Sequence, residues 1–158
     1  ENVFVAQVAY GAKDVHTLKA FLDAESYPGV SIIIAYSPCI AHGVDLSNNL
    51  RQQDLAVKSG HWPLLRYDPR LREQGRNPLS VDSAAPSIPF SDFAGNEARF
   101  TILERLRPDA SAAFMAQAGK DARLRHQEYL ELSEMRLPEA AIDEKAAAAT
   151  ERKETPDA

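Results

Sequence analysis

Two short apolar runs on either side of an amphipathic segment, near the start of the chain, limit the possible folds more than any other feature. Residues 3–8 are rich in β-favouring side chains, and residues 31–36 are apolar at nearly every position. Between them, Asp14 is a plausible N-cap for a helix over residues 14–25. A strand, a helix and a strand of these lengths form a βαβ unit with parallel strands. We therefore expect an α/β fold.

The side-chain pattern of this unit also predicts what each element buries. Apolar residues recur at helical spacing, which predicts an amphipathic helix with one apolar stripe. The stripe consists of Val15, Leu18, Phe21 and Leu22. A strand that is apolar on both faces, as residues 31–36 are, is typical of a parallel sheet covered on both sides.

The rest of the chain divides into three predicted parts. Residues 1–89 form the α/β part, with a further helix over 46–59, an extended segment over 62–67 and a short edge strand over 79–81. Residues 90–136 form a helical extension packing on it, with helices over 96–107 and 108–136. The second of these helices has a thin apolar stripe that suits covering a surface: Phe114, Ala118, Ala122, Tyr129 and Leu132. The Ala-, Glu- and Lys-rich tail, residues 137–158, is expected to be disordered.

Composition excludes several classes of protein. The chain has 158 residues, enough for one compact domain, and a net charge of −5, which argues against nucleic acid as a partner. No apolar run approaches the roughly 20 residues that span a bilayer, and no signal peptide is visible, so we expect a soluble protein. A lone cysteine rules out an intramolecular disulfide and favours the cytoplasm. The absence of an initiator methionine suggests a piece of a longer polypeptide.

The loop after the second strand carries the candidate chemistry. Open α/β sheets bind ligands beyond the carboxyl ends of their strands, and Cys39 and His42 lie there. Cys39 has three interpretations: a buried cysteine acting as a small hydrophobe, a nucleophile with His42 as its base, or a metal or cluster ligand. A cluster needs about four such ligands, so the other ligands would come from elsewhere.

Other candidate residues give weaker signals. His16, His42, His61 and His126 show no zinc-type spacing, and no glycine-rich phosphate loop is present. An arginine cluster interleaved with Asp68 and Glu73 favours a solvated loop over an anion site. Its members are Arg66, Arg70, Arg72 and Arg76.

Four blocks of the sequence carry a resemblance to a known family. They are NVFVAQVAYGA (2–12), AESYPG (24–29), IAYSPCIAHG (34–43) and AVKSGHWPLLRYDP (56–69). Together they resemble the C-terminal region of pyruvate:ferredoxin (flavodoxin) oxidoreductases, and the similarity extends over roughly residues 1–130.

The resemblance implies both a fold and a function. Residues 1–89 would be the C-terminal portion of a thiamine-diphosphate-binding domain, in an enzyme that decarboxylates pyruvate and forms acetyl-coenzyme A. Electrons would pass through [4Fe-4S] clusters to ferredoxin or flavodoxin. Cys39 matches the last ligand of the cluster nearest the thiamine. The Gly-Asp-Gly motif that holds the diphosphate and Mg²⁺ and the other cluster cysteines are not in the sequence, so the piece alone should be inactive.

The resemblance also implies partners, and other functions stay open beside it. The expected partners are the missing N-terminal domains of the same chain and a second subunit in a homodimer. The main alternative is a non-catalytic α/β interaction module. In this module the apolar stripe of the helix over 108–136 docks on a partner, and Cys39 is buried. An unrelated Cys-His hydrolase is the third possibility.

Overall fold

The chain forms a four-stranded sheet with α-helices around it in the computed structural model, which describes residues 2–136. The strands are β1 (Val3–Val8), β2 (Val30–Ala35), β3 (Leu65–Tyr67) and β4 (Leu79–Val81). The helices are α1 (Asp14–Glu25), α2 (Asn49–Lys58), α3 (Arg70–Glu73), α4 (Phe90–Ala94), α5 (Ala98–Leu106) and α6 (Pro108–Glu134). Two 3₁₀ turns, Ile40–His42 and Leu46–Asn48, connect β2 to α2. The tail predicted over 137–158 lies outside the described residues.

The sheet has the strand order β2-β1-β3-β4 and mixed strand directions. β1 and β2 are parallel, in register from Val3 opposite Val30 to Val8 opposite Ala35, so the predicted βαβ unit is confirmed. β3 is antiparallel to both β1 and β4, and the expectation of a parallel sheet is therefore wrong for this half. The reason lies just before β3, where the Trp62 indole donates to the Val8 carbonyl at 3.0 Å. The chain enters β3 where β1 ends and must run in the opposite direction.

Helix α1 has the predicted bounds but presents the opposite face to the sheet. Its buried residues are His16, Thr17 and Ala20, and Ala20 packs in a core cluster with Phe4 of β1. The predicted stripe is 55–70% exposed and consists of Val15, Leu18, Phe21 and Leu22. Within residues 2–136, the stripe is therefore not buried against the sheet. The small side chain of Ala20 lets the helix approach the sheet closely, and the large apolar side chains remain outside.

Strand β2 is an edge strand within the described residues. It pairs only with β1 there, and most of its side chains are exposed. The expectation that both of its faces are covered is therefore not met by the elements of residues 2–136.

A second core joins the later helices to α2. It is built from Ala56 of α2, Phe90 and Phe93 of α4, and Ala122 of α6. Helix α6 also contacts α5 and β4. Its predicted apolar stripe is only partly used, since Ala122 is buried whereas Phe114 is exposed. The predicted boundary at residues 89 and 90 stays a prediction.

Two members of the arginine cluster pair with carboxylates of the same chain. Arg66 makes two hydrogen bonds to Asp82, at 2.8 and 2.9 Å, and a third to Asp23 at 2.7 Å. Arg70 binds Asp68 at 2.8 Å. The Arg66 side chain is only 19% exposed, so the expectation of a solvated loop is wrong at this residue. Its ion pairs connect α1, β3 and the end of β4.

Candidate functional site

Three segments meet at the rim where β1 and β2 end. The Tyr36 amide, one residue beyond β2, donates to the Val8 carbonyl at 2.9 Å. The Trp62 indole donates to the same carbonyl, and its ring lies 5.3 Å from the ring of Tyr36. The antiparallel entry into β3 therefore brings the segment before Trp62 beside the loop after β2. This rim is where the sequence predicts the functional loop.

Cys39 lies on that loop with its side chain exposed. The preceding Pro38 is buried, whereas Cys39 is a free and exposed cysteine. Its carbonyl accepts the His42 amide at 2.9 Å in the turn that follows, and Gly43 ends that turn at φ +69°. Within residues 2–136, Cys39 is therefore not a buried hydrophobe. The thiol faces outward from a short, hydrogen-bonded turn.

The two reactive interpretations of Cys39 differ in the neighbours they require. No hydrogen bond joins the Cys39 thiol to the imidazole of His42 in residues 2–136, and the His42 side chain is exposed. The hydrolase interpretation needs that contact. Nor does this part of the chain contain a group of three or more His, Cys, Asp or Glu residues able to hold a metal ion. The donor set here is one thiol, which fits a single ligand position of a cluster and no more.

A buried carboxylate holds the start of the loop. Glu97, directly before α5, is 1% exposed and accepts hydrogen bonds from the Tyr36 hydroxyl at 3.0 Å and from the Gln52 amide at 2.9 Å. The Arg99 guanidinium donates to its second oxygen. Burial, and then the Glu97 charge, raise the pKa of Tyr36, so this hydroxyl remains a donor at neutral pH. No sequence pattern indicates this role, because Glu97 lies among polar residues typical of an exposed helix start.

The other end of the loop is held by a close approach between Gly43 and Ala98. Gly43 has a left-handed backbone, and a Cβ placed on it would overlap the Cβ of Ala98. Ala98 is the first residue of α5 and follows Glu97 directly. The consecutive residues Glu97 and Ala98 therefore fix Tyr36 and Gly43, which bracket Cys39.

His61 lies half-buried among the aromatic side chains of the rim. Its ring stacks on Phe93 with centroids 4.4 Å apart, and it meets Tyr36 edge-on at 6.2 Å. Burial, followed by the nearby positive charges of Arg99 and Arg125, lowers the pKa of His61 to about 4. The imidazole is therefore neutral at pH 7 and supports the packing of the rim.

A small pocket adjoins the site beyond the loop. It is lined by Val44, Asp45, Asn48, Arg51, Gln52, Leu55 and Asn96. Its volume of about 100 Å³ is well below the roughly 300–1,000 Å³ of pockets that bind cofactor-sized molecules. The pocket does not by itself accommodate thiamine diphosphate or coenzyme A. None of the helices within residues 2–136 has the length and apolar character of a membrane span.

Comparison with known proteins identifies the relatives of this chain. Pyruvate-flavodoxin oxidoreductase of Trichormus variabilis is 51% identical over 128 residues, which is 81% of this chain and 11% of the relative. Pyruvate:ferredoxin oxidoreductase of Moorella thermoacetica is 42% identical over 132 residues, 84% of this chain and 11% of the relative. The chain is homologous to a segment of pyruvate:ferredoxin (flavodoxin) oxidoreductases. The resemblance seen in the four sequence blocks is thereby confirmed.

Other comparisons agree with this relationship and define its extent. Pyruvate-flavodoxin oxidoreductase of Rhodospirillum rubrum is 47% identical over 125 residues, 78% of this chain and 10% of the relative. No protein-family model matches the chain. The chain spans about a tenth of the length of these oxidoreductases.

Proposed function

We propose that this chain is part of a 2-oxo acid oxidoreductase that converts pyruvate to acetyl-coenzyme A and carbon dioxide and passes the electrons to ferredoxin or flavodoxin. The observation that carries the proposal is the 42–51% identity to pyruvate oxidoreductases over about four-fifths of the chain. The α/β fold is compatible with the C-terminal portion of a thiamine-diphosphate-binding domain, as the resemblance implies. The enzyme would act in the cytoplasm as a homodimer.

Within this enzyme, we assign to Cys39 the role of one thiolate ligand of a [4Fe-4S] cluster. Its position supports the assignment, because the thiol is exposed at the rim beyond β2 and makes no hydrogen bond within residues 2–136. A bound cluster would supply one-electron transfer. The remaining ligands, and the groups that bind thiamine diphosphate, Mg²⁺, pyruvate and coenzyme A, would come from polypeptide beyond this sequence. The piece alone would therefore be inactive.

The other residues of the site hold the thiol in place. A cluster ligand must point in a fixed direction, and residues that contact the ligand without touching the metal commonly hold it there. Tyr36, held by Glu97, fixes the loop three residues before Cys39, and the Gly43–Ala98 contact fixes it four residues after. The neutral ring of His61 completes the packing beneath the rim without adding a charge.

Replacement of the ligand in the whole protein tests the assignment. Cys39→Ser should remove the iron of one cluster, about four atoms per chain, and the corresponding electron paramagnetic resonance signal of the reduced enzyme. Circular dichroism should be unchanged, because the exposed side chain packs against little. Ser37→Ala, on the same loop, serves as the control and should retain all iron. Full iron content and an unchanged spectrum in Cys39→Ser would refute the assignment.

A further inference from the structure

The outer edge of β2 has unpaired backbone groups in residues 2–136. The Tyr36 amide points to β1, where it binds Val8. Backbone groups along a strand alternate in direction, so the groups of Ile32 and Ile34 also point to β1. Those of Ser31, Ile33 and Ala35 therefore point away from the sheet, towards a position that no described strand fills.

One face of β2 is bare as well. Ser31 and Ile33 lie on the side covered by α1. The Ser31 hydroxyl donates to the Ala24 carbonyl, and Ile33 packs on the core around Phe4. The opposite side presents Val30, Ile32 and Ile34, which are 64%, 48% and 44% exposed. Natural edge strands are short or carry lysine, proline or a bulge. β2 has six residues and none of these protections.

The outer face of α1 extends the exposed apolar surface. Helix α1 lies against β1 and β2, and its outward side carries Val15, Leu18, Phe21 and Leu22. A helix with an apolar outer stripe needs a further layer to cover it. By contrast, β4 at the other edge of the sheet has only three residues and is contacted by α6. The exposed apolar surface of the sheet is thus concentrated at β2.

We propose that a strand from another part of the same polypeptide pairs in parallel with the outer edge of β2, and that the elements connected to it cover the outer face of α1. A strand apolar on both faces is typical of the interior of a parallel sheet, which favours a parallel neighbour. The relatives supply the source of that strand, since this chain spans about 11% of their length. A second copy pairing through β2 about a two-fold axis would be antiparallel. The inference does not require Cys39 to bind a cluster.

Residue-level amide hydrogen exchange of the whole protein tests the strand pairing. The amides of Ser31, Ile33 and Ala35 should exchange at least 100-fold more slowly than unstructured peptide, as slowly as those of Ile32 and Ile34. An open edge would instead give an alternating pattern, with only the Ile32 and Ile34 amides protected. That pattern would overturn the proposal.

Cross-linking distinguishes the same chain from a second copy. Lys19 is exposed on α1, beside Leu18 and Leu22. In a mixture of ¹⁴N- and ¹⁵N-labelled whole protein, Lys19 should link to peptides outside this sequence in products of a single isotope. Mixed-isotope links from Lys19 to residues 1–36 would show a second copy on this surface and would overturn the proposal.

A charge substitution at the bare face provides a further test in the whole protein. Ile32→Lys should lower the midpoint of thermal unfolding by several degrees, because the new charge would be buried under the covering layer. Leu132 of α6 is 46% exposed, close to the 48% of Ile32, so Leu132→Lys is a control of matched exposure. An unchanged midpoint for Ile32→Lys would overturn the proposal. If the variant fails to fold, the exchange measurement on the unmodified protein still decides.

Discussion

The Tyr36 hydroxyl donates a hydrogen bond of 3.0 Å to the Glu97 carboxylate, and this bond joins the end of β2 to the start of α5. Glu97 is almost fully buried, and a buried charge is tolerated only when hydrogen-bond donors surround it. Gln52 and Arg99 supply the other donors. The loop that carries Cys39 therefore begins at a residue held by a buried ionic network.

Removing the Tyr36 hydroxyl should loosen this loop. Tyr36→Phe retains the ring packing but deletes a hydrogen bond to a charged group, a loss of about 1.5–3 kcal/mol. Amide exchange over residues 36–43 should accelerate at least tenfold in the whole protein. Tyr10→Phe is the control, because Tyr10 is exposed and should show no change. Equal exchange rates in the two variants would contradict the role of this bond.

A methyl group at Gly43 should displace the loop. Gly43→Ala combines the cost of a left-handed backbone, about 1 kcal/mol, with a clash against Ala98 that adds roughly 1–3 kcal/mol. Gly75 has the same φ of +69°, so Gly75→Ala serves as the control for the backbone cost. Gly43→Ala should lose more local stability than Gly75→Ala, as measured by local amide exchange. This additional loss should disappear when Ala98→Gly is added. Failure of this rescue would show that the clash is not the cause.

Protonation of His61 should destabilise the rim in acid. Its folded pKa of about 4 lies below the ordinary value near 6.5, so the unfolded state binds the proton more tightly. The stabilisation is complete above pH 6.5 and is lost as the pH falls towards 4, by up to about 3 kcal/mol. Exchange of the imidazole C2 hydrogen, followed by mass spectrometry, should give a midpoint near pH 4 for His61. Arg99→Met should raise that midpoint, and Arg105→Met, on the exposed face of α5, should not.

The ion pairs of Arg66 should contribute more to stability than a surface pair does. Burial acts to raise the pKa of Asp82, but hydrogen bonds from Arg66 and His16 outweigh it and hold the pKa below the ordinary range. Asp82→Asn should therefore cost roughly 2–3 kcal/mol, somewhat less than the roughly 3–5 kcal/mol for breaking a fully buried pair. Asp54→Asn, which breaks the surface pair with Lys58, should cost about 0.3–0.5 kcal/mol.

The same linkage gives the Asp82 pair a pH dependence that can be measured. The contribution of Asp82 is present above pH 4 and is lost below it, because the unfolded carboxyl takes up a proton first. The protection of the amides in β3 and β4, measured from pH 6 to pH 3 in the unmodified chain, should fall as this contribution is lost. A similar loss in Asp82→Asn would assign the acid sensitivity to other groups.

Patterns within a segment of the sequence predict its secondary structure better than they predict which other elements the segment contacts. The bounds of α1 follow from the spacing of its apolar residues. The face that it buries depends on which side chains let the helix approach the sheet, and the small side chain of Ala20 selects that face. The direction of β3 could not be predicted, because it depends on where the preceding helix ends relative to β1. The place of Cys39 on the loop after β2 could be predicted, because it follows a strand in the sequence. The role of Glu97 could not be predicted, because its partners lie 45 and 61 residues away along the chain.

The contact between Gly43 and Ala98 restricts how this protein can vary. A Cβ at position 43 would overlap the Cβ of the alanine that occupies position 98. Mutations at the two positions therefore fall under joint selection, although 55 residues separate them in sequence. A survey of natural variants should find glycine at the first position accompanied by a small residue at the second.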